Sequence, residues 1–374
     1  MQPSQAVPPS TGTGRTPPLR VGLVLGAGGV LGGAWLCGGL HALARETGWD
    51  PGSAEVIVGT SAGSMMGALT AAGIPPWFMV AHSRGEVFEG LAGPDGRPSA
   101  EADRSGGAVY RLHRGLPSIG PGSLRMALTT LSSPLRHTPF QLMTGWLPAG
   151  LVSPEPLKEV VRRAVAGRWV DHPAFWAVTC DYSTGKRVPF GRIDAPPAHI
   201  ADAVAASCSI PGFYRPVKIG SRRYVDGGVC SASSLDLLAG RGLDLVICMN
   251  PLSSRSAPGT SGRLDAFAVA SRRANGRRLG HEAKKVRRFG TEVVMIQPVA
   301  DDLAVMGRNL MSGARRQAVI DTAERTVAEQ LRAPAVRELL RGLPEGEAHK
   351  IARPEGPPAS WPAIAPARAR RRAA

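Results

Sequence analysis

Short apolar runs that end in glycines alternate with stretches of helical periodicity along most of this chain. The run "VGLVL" at 21–25 leads into "GAGG", and the run "VIV" at 56–58 leads into "GTSAG". Runs of this length, bounded by glycines, are typical of buried strands. Between them, Leu36, Leu40 and Leu43 recur at helical spacing. The order of strand, loop, helix and strand predicts a βαβ unit, and hence a parallel sheet covered on both faces.

The same alternation continues to about residue 335. A hairpin is predicted around "STG" in "AFWAVTCDYSTGKRVPFG", and further strands are predicted in "RRYVDGG", "LDLVICM" and "TEVVMIQP". Helices are predicted in "SPEPLKEVVRRAVAG", in "AHIADAVAASCS" up to Pro211, and from about Gly313 to Leu331. The pattern therefore predicts an α/β fold in a single large domain.

Composition sets the expected limits of this domain at residues 21–335, with the motif-bearing core at 21–250. Residues 1–19 are rich in Pro, Ser, Thr and Gly, and residues 336–374 are rich in Pro and Arg. Such segments bury too little apolar surface to fold, so we expect two disordered tails. Residues 76–150 carry Pro and Gly throughout, and we expect an irregular insertion with short helices there.

The chain is strongly basic, with a formal net charge of +16 and a sequence pI of about 10.7. The densest cluster of cations lies in a predicted basic helix at 262–289. No aromatic interleaving or zinc-ligand spacing accompanies it, so we expect no nucleic-acid binding. Two interpretations remain open for residues 271–289. The segment is either a solvated helix face or a peripheral contact with an anionic membrane.

Five scattered cysteines, none at C-x-x-C spacing, indicate neither a disulfide framework nor a zinc site. They favour a reducing compartment. The stretch between Arg20 and Arg45 has no charge and is long enough to suggest a membrane span or a signal peptide. Its many glycines disfavour a membrane-spanning helix. We therefore expect a cytoplasmic protein, peripheral to the membrane if it contacts one.

Gly59-x-Ser61-x-Gly63 is the pattern of a nucleophilic serine on a sharp strand-to-helix turn. Gly is 46 of the 374 residues, so the pattern alone arises easily by chance. The first glycine turn, at 26–30, adds bare backbone amides that open a helix and suit an oxyanion. Both turns follow strands of one parallel sheet, so they can face the same crevice.

Dinucleotide binding is the alternative for the first glycine turn, "GAGGVLG" at 26–32. That function requires an acidic residue at the end of the second strand. The second strand instead runs into Thr60 and Ser61, while Glu46 and Asp50 precede it. The nucleotide interpretation is therefore disfavoured.

A base for Ser61 could be a histidine or Asp226. His281 lies in the basic helix and His349 near the C-terminal tail, and neither is flanked by catalytic residue types. Asp226 stands in "VDGG", at the end of an apolar strand. By itself this tetrapeptide is also a common Asp-Gly turn.

Together the three motifs resemble the patatin-like phospholipases. That family has a Gly-rich oxyanion loop after its first strand, G-x-S-x-G after its second, and a later D-G-[AG] turn. This chain has "GAGGVLG", "GTSAG" and "DGG" in that order, and its segment "AVAASCSIPGFYRPVKIGSRRYVDGG" is also similar to the family pattern. The resemblance covers residues 21 to about 250.

The resemblance implies a three-layer α/β/α sandwich with a mostly parallel central sheet. It implies a dyad in which Ser61 is the nucleophile and Asp226 the general base. The oxyanion hole would be formed by the amides of Gly28, Gly29 and Val30. The glycines that support these turns would be Gly26, Gly32, Gly59, Gly63, Gly227 and Gly228. No metal or cofactor is required, and the substrates would be esters of phospholipids, lysophospholipids or acylglycerols.

One position departs from the family pattern. Leu31 stands where the family usually carries Arg or Lys, which puts the headgroup preference in doubt. Two alternatives stay open on the residues alone. They are a Ser-His-Asp esterase of another fold and a non-catalytic lipid- or nucleotide-binding α/β module.

Overall fold

The computed structural model describes residues 18–86, 110–113, 120–132, 138–254 and 263–355. Its centre is an eight-stranded sheet. The strands are β1 (Val21–Leu25), β2 (Val56–Thr60), β3 (Phe175–Asp181), β4 (Arg187–Phe190), β5 (Val217–Ile219), β6 (Arg222–Asp226), β7 (Leu245–Met249) and β8 (Glu292–Ile296).

The spatial order of the strands is β5-β6-β3-β2-β1-β7-β8, with β4 also paired to β3. Strands β3, β2, β1, β7 and β8 run parallel to one another, whereas β4, β5 and β6 are antiparallel to their neighbours. The predicted mostly parallel sheet is therefore confirmed. The predicted hairpin around "STG" is the β3–β4 pair.

Twelve α-helices accompany the sheet within the described residues. They are α1 (Gly29–Thr47), α2 (Ala62–Ala71), α3 (Pro76–Ser83), α4 (Leu124–Leu131), α5 (Pro139–Thr144), α6 (Glu155–Ala164), α7 (Ile200–Ser207), α8 (Arg263–Arg287), α9 (Ala300–Met306), α10 (Arg316–Arg332), α11 (Pro334–Leu340) and α12 (Ala348–Ile351). Short 3-10 turns lie at Pro51–Ser53, Gly227–Val229 and Leu235–Leu238.

Alternate residues of the central strands enter two separate cores. Leu23 and Leu25 of β1 pack in the larger core, which contains residues of α1, α2, α7 and α10. Val24 enters the other core, with Leu279 and Val286 of α8. Since successive side chains of a strand point to opposite faces, helices cover the sheet on both sides. The three-layer α/β/α sandwich is confirmed.

The uncharged stretch after Arg20 forms β1, the first glycine turn and most of α1. Glycines within α1 allow a close approach of α10, because a Cβ at Gly38 would lie 2.4 Å from the carbonyl oxygen of Ile320. Trp35 and Leu40 of the same helix are fully buried. Across the portions of the chain that the structure describes, no helix is both long and apolar enough to cross a bilayer.

The insertion at 76–150 contains short helices, as predicted: α3, α4 and α5. Residues 87–109, 114–119 and 133–137 of it lie outside the described residues. The predicted basic helix at 262–289 corresponds to α8, which is described from Arg263 and ends at Arg287. Residue 262 lies outside the described residues.

The folded domain extends beyond the predicted boundary at residue 335. Leu340 of α11 is buried in the main core. Further on, the amide of Gly346 donates to the carbonyl of Gly48 at 2.8 Å, and Lys350 pairs with Asp50 at 3.2 Å. The prediction of a disordered tail from residue 336 is therefore wrong as far as residue 355. The prediction rested on the Pro- and Arg-rich composition of this segment, but a few apolar residues within it pack against the domain.

The outermost parts of both predicted tails, residues 1–17 and 356–374, lie outside the described residues. Leu19, which was assigned to the N-terminal tail, packs against the main core.

Candidate active site

Ser61 lies on a strained turn between β2 and α2. Its backbone has φ +54° and ψ −125°, in the left-handed range of φ that non-glycine residues rarely adopt. The two motif glycines make this turn possible. A Cβ at Gly63 would lie 1.9 Å from the carbonyl oxygen of Leu25, and one at Gly59 would lie 2.5 Å from that of Gly63. Such strain persists only where the surroundings hold it, and it is common at catalytic residues.

Neighbouring polar groups hold the strained turn from both sides. The amide of Ser61 donates to the hydroxyl of Ser207 at 2.9 Å, and that hydroxyl donates to the carbonyl of Val178 at 2.5 Å. The carbonyl of Ser61 accepts from the amide of Ser64 at 2.8 Å, from its hydroxyl at 2.7 Å, and from the thiol of Cys208 at 3.2 Å. Ser207 and Cys208 belong to the segment "AASCS", whose small polar residues at a helix end were the available signal for this role.

Asp226 ends β6 and is nearly buried, with 5 % of its surface exposed. The amide of Gly228 donates to Oδ1 of its carboxylate at 2.7 Å, and the hydroxyl of Ser61 lies near enough to that carboxylate to lower its pKa. Gly227 allows the turn to pack closely, since a Cβ there would lie 2.3 Å from the carbonyl oxygen of Val178. The turn is a 3-10 turn at Gly227–Val229 and not a hairpin.

Burial raises the pKa of Asp226 to about 7, well above the ordinary 3.8 of an aspartic acid. The nearby hydroxyl of Ser61 and the hydrogen bond from Gly228 favour the carboxylate and lower this pKa, so burial is the dominant cause. A carboxylate whose pKa lies near neutrality can both accept and return a proton at physiological pH.

The amides of Gly28, Gly29 and Val30 lie at the N-terminus of α1. Among the described residues, none of these three amides has a hydrogen-bond acceptor, as is usual for the first turn of a helix. Gly29 has φ +62°, a conformation that requires glycine. The next amide, that of Leu31, donates to the carbonyl of Leu310 at 2.9 Å. Within the first glycine turn, the free amides are thus those of the three residues that the family resemblance implies for an oxyanion.

The first glycine turn packs tightly against the end of β7. A Cβ at Gly26 would lie 2.2 Å from Oδ1 of Asn250, and one at Gly28 would lie 2.9 Å from Cβ of Pro251. Gly32, one turn into α1, lies against the same proline. Within the described residues, Oδ1 of the buried Asn250 has no hydrogen-bond partner. Sequence reasoning did not identify Asn250 or Pro251 as neighbours of this turn.

Leu31 does not occupy a substrate-facing position. Its side chain is 1 % exposed and belongs to the main core. The side chain at this position therefore contributes packing in this chain and supplies no charge to the site.

A segment from the far end of the chain covers the first glycine turn. Cβ added at Gly29 would lie 2.9 Å from Sδ of Met311. The hydroxyl of Tyr110, from the insertion, donates to the carbonyl of Met311 at 2.5 Å. The ring of Tyr110 also contacts that of Phe213 edge to face, with centroids 5.4 Å apart. The insertion thus contacts the segment that covers the first glycine turn.

The side chains of the two candidate histidines, His281 and His349, contact groups outside the site. Nδ1 of His281 contacts the carbonyl of Arg277 at 2.8 Å within α8, and Nε2 of His349 lies 3.3 Å from the carboxylate of Glu347. In the contacts of the described residues, neither shares a hydrogen bond with Ser61 or Asp226. The described residues also contain no group of three or more His, Cys, Asp or Glu side chains that could hold a metal ion.

Helix α8 covers the sheet face opposite α1 and α2. Eight cations cluster between Arg272 and Arg288, in α8 and directly after it, and four of them have partners within the protein. Arg272 donates to the carbonyl of Pro251, Arg278 to the carboxylate of Glu282, and Arg287 to the carbonyl of Val293. Lys285 pairs with Asp236 at 3.7 Å. The other four cations of the cluster are exposed: Arg273, Arg277, Lys284 and Arg288.

Glu282 connects α8 to the site. It is 7 % exposed and accepts from the hydroxyls of Ser231 at 2.6 Å and Ser233 at 2.5 Å, and from the amide of Leu235. Between these serines, the carbonyl of Ala232 accepts from the amide of Ala27 at 2.8 Å. The loop after Asp226 therefore supports the first glycine turn.

Comparison with known proteins identifies the family. The family model described as patatin-like phospholipase matches residues 23–239, a span that contains both glycine turns, Ser61 and Asp226. Among solved structures, the crystal structure of VipD from Legionella pneumophila matches with 13 % identity and a TM-score of 0.41. That match covers 84 % of this chain and 67 % of VipD.

Proposed function

This chain belongs to the patatin-like phospholipase family, which supports a general lipid acyl hydrolase activity, and we propose that it cleaves lipid esters with a Ser61–Asp226 dyad. The proposed substrates are the carboxylic esters of phospholipids, lysophospholipids or acylglycerols.

The observation that carries this proposal is the buried carboxylate of Asp226 beside the hydroxyl of Ser61, which lowers the pKa of that carboxyl. A nucleophile on a strained turn, a neighbouring carboxylate that can act as base and unpaired amides nearby are the parts that acyl transfer requires.

In the first half of the proposed reaction, Asp226 accepts the proton of the Ser61 hydroxyl as Oγ attacks the ester carbonyl carbon. The carbonyl π-electrons move to oxygen, and the amides of Gly28, Gly29 and Val30 stabilise the resulting oxyanion. When the carbonyl re-forms, the bond to the alcohol breaks. Asp226 returns its proton to the leaving alkoxide oxygen, and an acyl ester remains on Ser61.

In the second half, water replaces the alcohol. Asp226 accepts a proton from the water as its oxygen attacks the acyl carbon, and the oxyanion forms again against the same amides. Collapse breaks the bond to Oγ of Ser61, which recovers the proton from Asp226 and releases the fatty acid. The protons balance over the cycle without a further acid or base.

Replacement of the dyad residues tests this proposal. Ser61→Ala and Asp226→Asn should each lower ester hydrolysis by about 10²-fold or more, since general-base catalysis alone contributes about 10²–10⁴-fold. The measurement is fatty acid release from a panel of phospholipid, lysophospholipid and diacylglycerol substrates. A fluorophosphonate probe should label the wild type and leave Ser61→Ala unlabelled.

His281→Ala and His349→Ala are the matched controls, and both should retain activity. An inactive His281→Ala or His349→Ala enzyme beside an active Asp226→Asn enzyme would replace the dyad by a histidine-based esterase. A wild-type protein that neither reacts with the probe nor hydrolyses any lipid of the panel would be a non-catalytic binding module.

A further inference from the structure

Exposed apolar side chains are concentrated in the insertion. Of the twelve large hydrophobic side chains that are exposed in the described residues, nine lie between positions 110 and 151. Six of these are on or directly beside helices α4 and α5: Leu124, Leu128, Leu131, Phe140, Met143 and Trp146. A concentration of this kind on a folded surface marks an interaction site.

Helix α4 has two distinct faces. Met126, Ala127 and Thr130 are buried, with Met126 packed against the ends of β3 and β6. Leu124, Leu128 and Leu131 recur at helical spacing and are 57 %, 63 % and 51 % exposed. The exposed leucines therefore form one stripe, which the described part of the chain leaves uncovered.

Helix α5 packs directly against α4 and continues the exposed surface. A Cβ at Gly145 would lie 2.5 Å from the amide nitrogen of Ala127, and the amide of Ser123 donates to the carbonyl of Gly145. Phe140, Met143 and Trp146 are 44 %, 61 % and 47 % exposed. We refer to the exposed side chains of these two helices as the apolar rim.

The apolar rim is attached to the turn that carries Asp226. The hydroxyl of Thr138, which caps α5, donates to the carbonyl of Val229 at 3.1 Å. Gln141 of α5 donates to the carbonyl of Gly185 and to the thiol of Cys230. A lipid held against this rim would therefore lie beside the catalytic turn.

The charge of this region determines which partner fits it. Between Asp103 and Glu155 the sequence contains no acidic residue, and two of the five arginines there lie in the described residues. Arg111 and Arg125 are exposed. Apolar side chains interspersed with cations match an anionic lipid surface, in which the leucines enter the acyl region and the arginines remain at the headgroups. A second copy of the chain, with the same net charge of +16, is a poor partner for the same surface.

We propose that the apolar rim of α4 and α5 is the membrane-binding surface of this protein and seats the active site on anionic phospholipid. The inference rests on the proposed lipid hydrolase function for the choice of a lipid partner. It differs from the contact expected through the basic helix at 271–289, because it uses the exposed apolar side chains of α4 and α5 instead of the exposed cations in and beside α8.

Vesicle sedimentation tests this proposal with the full chain and vesicles of phosphatidylcholine with and without phosphatidylglycerol. The variant Leu124→Gln/Leu128→Gln/Leu131→Gln should bind the anionic vesicles at least about tenfold more weakly than the wild type, since three apolar side chains leave the acyl region. Ile193→Gln, at a fully exposed position outside the rim, is the matched control and should bind as the wild type does. Replacement of Arg273, Arg277, Lys284 and Arg288 by Gln tests α8.

Hydrolysis of a water-soluble short-chain ester and fluorophosphonate labelling of Ser61 should be unchanged in the leucine variant. These two readouts separate loss of membrane binding from loss of the proposed chemistry. The single variant Leu128→Gln serves if the triple variant does not fold.

Unchanged vesicle binding by the leucine variant would overturn the proposal, as would loss of binding in the α8 variant alone. A wild-type dimer that the leucine changes dissociate, seen by light scattering, would assign the rim to self-association. Vesicle binding by a wild type that the fluorophosphonate does not label would contradict the proposed function, but it would still support the apolar rim as the membrane-binding surface.

Discussion

The hydroxyl of Ser207 lies 2.9 Å from the amide nitrogen of Ser61 and connects it to the carbonyl of Val178 on the neighbouring strand. Ser207 is the last residue of α7, so a helix that contributes no group to the proposed reaction fixes the backbone of the nucleophile. The amide of Ser61 is buried and would otherwise be unsatisfied, which costs about 1–3 kcal/mol.

Ser207→Ala should lower kcat by about 10- to 100-fold with little change in KM, because the reacting oxygen of Ser61 loses its fixed position while the lipid contacts remain. The rate of fluorophosphonate labelling should fall in parallel. Both are measured on protein whose folded fraction is checked by circular dichroism.

Ser209→Ala is the control for Ser207→Ala. The hydroxyl of Ser209 donates only to the carbonyl of Ala205 one helical turn earlier, so its loss should leave kcat within about twofold of the wild type. Equal losses in the two variants would show that Ser207 has a structural role only.

The parts of the site that are close in sequence could be predicted, because strand, glycine turn and helix follow one another directly. Ser61 and the amides of Gly28 to Val30 belong to such units. The pairing of Ser61 with Asp226 required the family resemblance. In the structure, strand order brings the two residues near each other: Thr60 of β2 pairs with Val178 of β3, and Thr179 pairs with Asp226 of β6.

The groups that the sequence did not reveal reach the site from distant segments. Ser207, Asn250 and Met311 stand in stretches whose local pattern is that of an ordinary helix end or loop. Their roles depend on how these segments pack across the edge of the sheet, which periodicity and turn chemistry do not determine. The folded segment beyond residue 335 was missed for the same reason.

The pH dependence of hydrolysis should report the ionisation of Asp226. The base must be ionised, and its pKa is about 7, so kcat/KM should rise through about pH 7 and level off above it. The profile is measured with an uncharged ester between about pH 5 and 9.

The same profile for His281→Ala and His349→Ala should have an unchanged midpoint. A rising limb that disappears in either variant would assign the titration to that histidine instead of Asp226.

Asp226 should also destabilise the fold at neutral pH. Its folded-state pKa, about 7, exceeds the 3.8 expected of an unfolded chain, so the folded protein binds more protons than the unfolded chain between these values. Stability therefore falls as the pH rises from about 4 to about 7 and stays low above that range. Asp226→Asn should raise the free energy of unfolding at pH 8 by up to about 4 kcal/mol.

This gain should shrink as the pH is lowered toward about 4, where Asp226 is protonated in the folded protein and partly protonated in the unfolded chain. Thermal midpoints of the wild type and of Asp226→Asn at about pH 8 and 5 provide the comparison. If the wild type were more stable than Asp226→Asn at pH 8, burial would not oppose the ionisation of Asp226.

Gly28→Ala should abolish hydrolysis while Gly33→Ala preserves it. A Cβ at Gly28 would lie 2.6 Å from Cα of Gly32 and 2.9 Å from Cβ of Pro251, so the turn would have to move away from β7 and would carry the three free amides with it. Loss of one oxyanion donor costs about 10²–10³-fold in kcat, and we expect at least that loss on the lipid panel.

At Gly33 the nearest atom to an added Cβ is 3.7 Å away, and alanine in a helix is favoured over glycine by about 1 kcal/mol. Gly33→Ala should therefore hydrolyse normally with a higher thermal midpoint. Normal hydrolysis by a folded Gly28→Ala protein would remove this turn from the oxyanion site.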